Sequence, residues 1–375
     1  MPTNSFFSGG DSGGDSGGDS GGDSGGDSYL SGGDAVKGGV PVTAALITSR
    51  DGIVGRDANL YGEPPELGLD QGTNLNEWAP WVRQQVWQFD LLCGLLVKRS
   101  TSQAQAEILV SGTQLCAIER AGIDKFREFQ LQHVLNYADL RRDRAAEIVA
   151  QQSNIGAFFR SVAGIRSERH RWTLELMRAC LAATITIHLR VKHMLACRRP
   201  DELSAQVQPM IDTPGHGSFP SGHATESFML AEVLSSLLGA RDNKVYPPGQ
   251  RTDDRPQLWK DQFFRVAQRI AINRVIAGVH YPADNAAGLV LGILLGRYFV
   301  ARMSGTALSV KAWKFSGAAY GSSDFPTTEM RAKLGSQQPD PALATYLEPL
   351  QAEVTAEAPN SELGFLWREA KKEWP

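Results

Sequence analysis

Apolar residues recur with the spacing of an α-helix through most of the chain after residue 76, while the alternation expected of β-strands is scarce. The first predicted helix has an i, i+3, i+4 rhythm, and the residues that carry it are expected to lie in the core: Trp78, Trp81, Val82, Val86, Phe89, Leu92 and Cys93. Further helices are predicted over residues 103–118, 126–136, 140–152, 167–197, 221–238, 258–277 and 282–301. The pattern therefore predicts an all-α fold, a helical bundle around one core.

The two ends of the chain lack this pattern. The tetrad SGGD recurs every four residues over 8–27 and again at 31–34, and a Gly-rich, acidic stretch without apolar positions cannot build a core. We therefore expect a disordered tail over 1–35, followed by irregular chain to about residue 72. A single helical domain is predicted over 36–305. After residue 303 the sequence turns polar and Pro-rich, which predicts a C-terminal extension of loops and a short helix over 306–375.

One helix carries three glycines at intervals of four: Gly288, Gly292 and Gly296. They fall along one stripe of that helix, and each costs about 1 kcal/mol of helix stability relative to alanine. Close packing against another helix would offset this cost. The stripe therefore predicts a tight helix–helix contact.

Composition limits the possible partners. The 375 residues, 42% of them hydrophobic, can bury a sizeable core. The net charge of -3 and pI near 6.2 provide no basic field for nucleic acid, so any anion site must be local. Four separated cysteines without a C-x-x-C pair are typical of reduced core thiols. No signal peptide is recognisable at the N-terminus, so a cytoplasmic location is expected.

The apolar runs are also short for a membrane protein. A bilayer crossing needs about 20 mainly apolar residues. The best runs, 179–187 and 286–296, fall below that length, so no integral membrane span is expected. The apolar faces predicted between 76 and 152 suit either ordinary core or the interface of a homo-oligomer, and both interpretations stay open.

Three clusters carry candidate chemistry, and the first is Lys192 with Arg199-Pro200. Seven residues on a helix fall about 20° short of two turns, so both cations could share a stripe at the end of a helix that Pro200 stops. A guanidinium fork and a movable ammonium suit the oxygens of a phosphate-like anion. The alternative is a solvated basic helix end, favoured by the helix dipole.

The second cluster is the segment 219–223, Phe-Pro-Ser-Gly-His, which opens an apolar helix. Backbone amides at a helix N-terminus bind anions, Gly222 permits close approach, and Ser221 adds a hydroxyl donor. His223 would then lie beside the bound group, where an imidazole can move protons. A turn and helix cap with a chance histidine is the alternative.

The third cluster is Arg274, His280 and Asp284. Arg274 supplies another guanidinium. Asp284 lies one helical turn after His280, just inside a helix that Pro282 begins. A carboxylate there can hold the Nδ1 proton of His280 and leave Nε2 to attack phosphorus or to ligate a metal oxyanion. The alternative is a histidine and an aspartate that stabilise a helix start.

Together the clusters read K-x6-R-P, P-S-G-H and R-x5-H-x3-D, over residues 192–284. In this the sequence resembles the superfamily of type 2 phosphatidic acid phosphatases (PAP2) and vanadium-dependent haloperoxidases. The resemblance implies a helical bundle with the oxyanion held by Lys192, Arg199, Ser221, Gly222 and Arg274. It also implies that His280 bonds to phosphorus or vanadium and that His223 is the acid/base. The sequence departs from the pattern at Asn273, where the family usually has a supporting serine.

Two branches of the family share these residues, so their chemistry must be separated on other grounds. Its membrane lipid phosphatases have several spanning helices and its soluble acid phosphatases are usually exported. Its haloperoxidases often read P-S-G-H-A-T, as residues 220–225 do. The resemblance therefore implies a haloperoxidase that uses vanadate, hydrogen peroxide and a halide.

His216 bears on the choice of halide. Bromoperoxidases of the family carry a histidine near the halide site at this place, where chloroperoxidases carry phenylalanine, so bromide or iodide is expected. A loop histidine with no role remains the alternative. Two other functions also stay open: a phosphatase that cleaves phosphomonoesters through phosphohistidine at His280, without vanadate, and a non-enzymatic anion-binding protein.

Overall fold

The structure is a computed structural model that describes residues 40–53, 66–100, 104–239, 255–305, 309–335 and 345–374. The SGGD tail expected over 1–35 lies outside the described residues. The predicted division of the chain at 35 and 305 remains a prediction.

The described residues are mostly helical. The helices are α1 (Val40–Ile53), α2 (Pro80–Leu92), α3 (Ile123–Lys125), α4 (Leu131–Tyr137), α5 (Arg141–Ser153), α6 (Ile155–Ala163), α7 (Arg171–Leu195), α8 (Pro200–Leu203), α9 (Gly222–Gly239), α10 (Arg255–Ile276), α11 (Pro282–Ser304), α12 (Gly317–Tyr320), α13 (Thr327–Gly335) and α14 (Ser361–Lys372). Short segments of 3₁₀- or π-helix lie at Gly72–Glu77, Phe126–Gln130 and Ala138–Leu140. The strands are β1 (Leu95–Arg99), β2 (Gln105–Val110), β3 (Thr113–Glu119), β4 (Ser309–Ser316) and β5 (Leu347–Thr355).

The centre of the fold is the packing of α9 against α10 and α11. The glycine stripe of α11 faces α9: a Cβ on Gly288 would lie 2.8 Å from Ser221 O, and one on Gly292 would overlap Thr225 O. The predicted tight contact is therefore confirmed. It sets the distance between the two helix starts that carry the second and third clusters.

The described residues also contain a five-stranded sheet of order β1-β2-β3-β4-β5, so the all-α prediction is wrong. The helix predicted over 103–118 is the antiparallel hairpin of β2 and β3. Its two-residue turn, Ser111-Gly112, has φ of 47° and 87°, which is the geometry that joins two twisted strands. The apolar run around this turn was mistaken for a helical face.

The C-terminal residues are part of this sheet, contrary to the expectation of loops and a short helix. β4 pairs in parallel with β3, and β5 pairs antiparallel with β4. The following α14 packs on α7 and α11. Residues on both sides of position 305 therefore build one sheet and contribute to one core. Helix α1 likewise falls in a stretch that was expected to be irregular.

The face that α2 buries most deeply differs from the predicted one, although Val86 and Leu92 of the predicted set pack against the core. Trp78, Trp81 and Phe89 are about half exposed or more. Arg83 and Trp87 are buried instead, and Arg83 forms a bidentate ion pair with Glu175 of α7, with Nε–Oε2 at 2.7 Å and NH2–Oε1 at 2.5 Å. Because a buried guanidinium needs partners, this pair determines which side of α2 faces the protein.

Helix α11 is longer than the apolar run 286–296, which was expected to be too short to cross a bilayer. Its 23 residues have a mean hydropathy of 1.5 in the most apolar window, which is long and apolar enough to cross a bilayer. The structure buries 94% of that window inside the protein. A core helix satisfies the same criteria, so α11 alone is weak evidence for a membrane span.

Candidate active site

The segment before α9 and the first turn of α11 are joined through their backbones. Ser221 N donates to Asp284 O at 2.9 Å, and Ser221 Oγ accepts from Ala224 N at 3.3 Å in the manner of an N-cap. Gly288 of α11 packs directly against Ser221 and Ala224 at this contact. The first amides of α9, beginning at Gly222, are thereby fixed beside the start of α11.

His280 is held in one tautomer by its two neighbours. Its Nδ1 lies 2.7 Å from Asp284 Oδ2, and its Nε2 lies 3.0 Å from Arg199 NH1. A carboxylate accepts and a guanidinium only donates, so Nδ1 carries the hydrogen and Nε2 presents its lone pair. The predicted Asp284–His280 contact is present, with both side chains fully buried.

Asp284 also stabilises the helix it begins. Its Oδ2 accepts from Tyr281 N at 3.1 Å, and Pro282 occupies the first helical position, as predicted. Burial raises the pKa of Asp284 to about 7, against the opposing effects of the Tyr281 amide and of the cations Lys192 and Arg199. This carboxyl therefore takes up and releases its proton near neutrality.

Arg199 does not lie on the helix of Lys192, contrary to the sequence expectation. Helix α7 ends at Leu195 because Ala196 adopts a left-handed conformation with φ of 45°. Arg199 then has an extended backbone and precedes α8, which Pro200 begins. The extended segment lets Arg199 NH1 reach both His280 Nε2 and, at 2.7 Å, Val279 O.

His216 lies on the other side of the same guanidinium. Arg199 Nε donates to His216 O at 3.1 Å, and Arg199 NH2 lies 3.2 Å from His216 Nδ1. One arginine thus contacts the imidazoles of His216 and His280 through its two terminal nitrogens. The structure places this loop histidine at the site.

Lys192 is buried at the end of α7 and holds the loop that precedes α9. Its Nζ donates to Gly217 O at 3.1 Å and to Ser218 O at 3.0 Å. Lys192 and Arg199 both lower the pKa of Asp284 by their charge. The first cluster therefore lies beside the third.

Arg274 and His223 meet at Gln151 of α5, a residue that the sequence reasoning missed. Arg274 NH2 donates to Gln151 Oε1 at 3.1 Å and to Ile148 O at 3.0 Å. His223 Nε2 donates to the backbone oxygen of Gln151 at 2.9 Å. A polar residue on a helix without a sequence motif gives little signal by itself.

The described geometry buries most of the candidate residues, while His216 beside Arg199 is half-buried. Relative exposure is 2% or less for Lys192, Arg199, Ser221, His223, Arg274, His280 and Asp284. Three buried cations, the amides of a helix N-terminus and one imidazole lone pair are the donor set that a tetrahedral oxyanion requires. The arrangement can bind such an anion, bond it to His280 and transfer protons through His223.

Comparison with known proteins finds a family match that spans the candidate residues. Residues 174–306 match the family model of the PAP2 superfamily, so this part of the chain is a PAP2 superfamily domain. The match includes every candidate residue and excludes α5 with Gln151.

The curated relatives have two different activities. The chain is 32% identical over 117 residues to a vanadium-dependent bromoperoxidase of Ascophyllum nodosum, which is 28% of this chain and 21% of that protein. It is 29% identical over 128 residues to a decaprenylphosphoryl-5-phosphoribose phosphatase of Mycobacterium tuberculosis, which is 34% of this chain and 59% of that protein. The chain thus spans about a fifth of the first relative and about three-fifths of the second.

A solved transmembrane PAP2-type phosphatidylglycerolphosphate phosphatase from Bacillus subtilis aligns over 60% of this chain and 86% of its own, at 17% identity. Its TM-score is 0.27.

Proposed function

We propose that this protein is a vanadate-dependent haloperoxidase that oxidises bromide or iodide with hydrogen peroxide. The observation that carries the proposal is His216, whose Nδ1 lies 3.2 Å from the guanidinium that also contacts His280. Phosphoester hydrolysis by His280 and His223 needs no third imidazole. A third imidazole beside the oxyanion site suits a reaction that uses an additional small anion.

The residues fit vanadate as a resident group. Its negative oxygens would be held by Lys192, Arg199, Arg274 and the first amides of α9, and its metal by His280 Nε2. The lone pair of that nitrogen is oriented by the Nδ1–Asp284 hydrogen bond. Vanadate bound there would supply the Lewis acidity that activates hydrogen peroxide toward a halide.

The protein's own groups have separable tasks in this reaction. The three buried cations offset the charge of the anion, and Asp284 keeps His280 oriented. His223 donates from Nε2 to a backbone carbonyl, so its Nδ1 is the nitrogen that accepts and returns a proton. Burial of every group excludes bulk water and strengthens the electrostatic interactions.

Phosphomonoester hydrolysis is the second candidate, and the lone pair of His280 Nε2 favours it equally. In that reaction Nε2 attacks phosphorus, and an N–P bond forms as the ester P–O bond breaks. His223 protonates the leaving oxygen. Water then attacks phosphorus, His223 takes its proton, and the N–P bond breaks to release inorganic phosphate.

Parallel assays of the purified protein distinguish these functions. One assay supplies orthovanadate, hydrogen peroxide and bromide or iodide, and the other supplies an aryl phosphate without vanadate. Halogenation that requires vanadate supports the haloperoxidase, whereas phosphate release that vanadate inhibits supports the phosphatase. Activity in neither assay favours a non-enzymatic anion-binding protein.

Two histidine variants test the site itself. His280→Ala should abolish whichever activity is found, while His193→Ala, an exposed histidine next to Lys192, should leave it unchanged. Full activity in His280→Ala would overturn the site assignment.

A further inference from the structure

Helix α5 lies outside the PAP2 match, yet its last turns reach the candidate site. Gln151 is 1% exposed and contacts two of the proposed functional residues. Its backbone oxygen accepts from His223 Nε2, and its side-chain oxygen accepts from Arg274 NH2. A single residue therefore connects the proposed acid/base with one arm of the oxyanion clamp.

The backbone contact follows from the position of Gln151 in its helix. The last four carbonyls of an α-helix have no partner within that helix, and α5 ends at Ser153. The Gln151 carbonyl is one of these four, and His223 supplies its hydrogen bond. Because this contact uses the main chain, it persists when the side chain of Gln151 is changed.

The side-chain contact has its own support. Asn273 Nδ2 donates to Gln151 Oε1 at 3.0 Å and to Glu147 Oε2 at 3.1 Å, and Glu147 is in turn bound by Arg269. Gln151 Oε1 therefore receives two donors, Asn273 and Arg274. These donors determine which end of the amide faces the arginine.

The chemical type of this partner matters for the site. An amide oxygen orients Arg274 without adding a negative charge, whereas a carboxylate at the same place would offset the positive charge that the oxyanion needs. Asn273, the departure from the family's serine, is the residue that orients this amide. The side-chain amides of Asn273 and Gln151 are thus hydrogen-bonded to each other, and the Gln151 amide in turn contacts Arg274.

We propose that Gln151 is a positioning residue of the oxyanion site: its side chain, oriented by Asn273, aims Arg274 at the anion, while its backbone carbonyl orients His223. The proposal rests on the oxyanion site of the proposed function. The two contacts should have separable effects. The side chain of Gln151 acts on Arg274 and so on anion binding, whereas its backbone carbonyl acts on His223 and so on proton transfer.

The test uses Gln151→Met, which keeps the length of the side chain and removes the acceptor. Calorimetric titration with inorganic phosphate and with orthovanadate should give dissociation constants about 10- to 100-fold higher than those of the wild type. The KM for the substrate identified by the assays should rise, and kcat should change little, because the carbonyl that holds His223 remains. A purely structural role would instead lower the unfolding midpoint and affect kcat and KM together.

Asn273→Ala provides an independent variant in case Gln151→Met does not fold. It should weaken phosphate binding by a smaller factor. The double variant should bind no more weakly than Gln151→Met alone, because Asn273 acts through Gln151. Gln132→Ala, an exposed glutamine of α4, is the matched control and should bind like the wild type.

The outcomes separate the two proposals. If the wild type binds neither anion, the proposed oxyanion site is wrong and the role of Gln151 falls with it. If the wild type binds but Gln151→Met and Asn273→Ala bind equally well, only the role of Gln151 is overturned. Additive losses in the double variant would overturn the part played by Asn273.

Discussion

At the scale of single residues, Asp284 combines a structural task with a chemical one. The same carboxylate oxygen accepts from the amide that starts α11 and from His280 Nδ1. Burial penalises its ionised form, while Lys192 and Arg199 favour that form. The balance brings its titration near neutral pH, where a small change in the surroundings alters the charge that faces His280.

We predict that activity depends on the ionisation of Asp284. Burial raises the pKa of this carboxyl from about 3.9 in an unfolded chain to about 7, so activity should rise as pH increases through about 7. The sign for stability is opposite, because the folded state binds the proton more tightly between these values and loses that advantage as pH rises. Asp284→Asn should lower activity about 10- to 100-fold and remove this acid limb.

Rate measurements between pH 5 and 9 on wild type and Asp284→Asn check this prediction. An acid limb that persists unchanged in the variant would assign it to another group.

The motif residues could be predicted from the sequence because each suits a specific chemical task. Arg83 and Gln151 could not, because their importance comes from partners distant in sequence: Glu175 for Arg83, and Arg274 and His223 for Gln151. Periodicity assigns apolar residues to the core, and it therefore assigned Trp81 and Phe89 of α2 to the core although both are exposed.

At the scale of elements, the contact between α9 and α11 determines the geometry of the site. Long apolar helices such as α7, α9 and α11 were predictable because their periodicity persists over many turns. The hairpin of β2 and β3 was not, because a short apolar run with polar flanks fits either period. Its signal was the Ser111-Gly112 turn.

Alanine at two glycines of α11 should test this contact. In Gly292→Ala the new methyl group would overlap Thr225 O, so the helices must separate at a cost of about 1–3 kcal/mol. Gly288→Ala should cost a similar amount and also reduce activity, because its methyl group would press on Ser221 O at the start of α9. Denaturant midpoints and rates measure the two effects.

Gly156→Ala in α6 is the matched control for these variants. The nearest atom to its new methyl group would be Asn154 Oδ1 at 3.5 Å, an ordinary contact, so stability should be unchanged or slightly increased. Equal stability of all three variants would contradict the close approach of α9 and α11.

At the scale of the whole molecule, the burial of the cysteines indicates how well the core excludes solvent. Cys116, Cys180 and Cys197 are buried and Cys93 is exposed, all as free thiols. Burial raises the pKa of Cys197 to about 12 and suppresses the thiolate in the other two buried cysteines as well. The expectation of core thiols thus holds for these three and is wrong for Cys93.

Native protein should therefore react with a disulfide reagent at about one thiol per chain, and the remaining three should react on unfolding. Cys93→Ser is the control that should remove the rapid phase. Rapid labelling of further thiols in the native state would contradict a closed core.

The segment after α14 contacts the start of α7. His170 precedes α7 without a side-chain cap, and Glu373 supplies the missing acceptor by receiving hydrogen bonds from Trp172 N at 2.6 Å, Thr173 N at 2.8 Å and Thr173 Oγ1 at 2.7 Å. A carboxylate at a helix N-terminus accepts hydrogen bonds from the unpaired amides and interacts favourably with the positive end of the helix dipole. The C-terminal segment therefore anchors the start of the helix that carries Lys192 at its other end.

Glu373→Ala should lower the free energy of unfolding by about 1–2 kcal/mol, and Glu373→Gln by less, because an amide oxygen still accepts but carries no charge. Glu369→Ala, which removes only a pair with Lys372 on the surface of α14, should cost about 1 kcal/mol or less. Equilibrium denaturation of the three variants measures these differences. If Glu373→Ala were no less stable than Glu369→Ala, the C-terminal segment would be packed against α7 without stabilising its start, and the cap would contribute nothing to the fold.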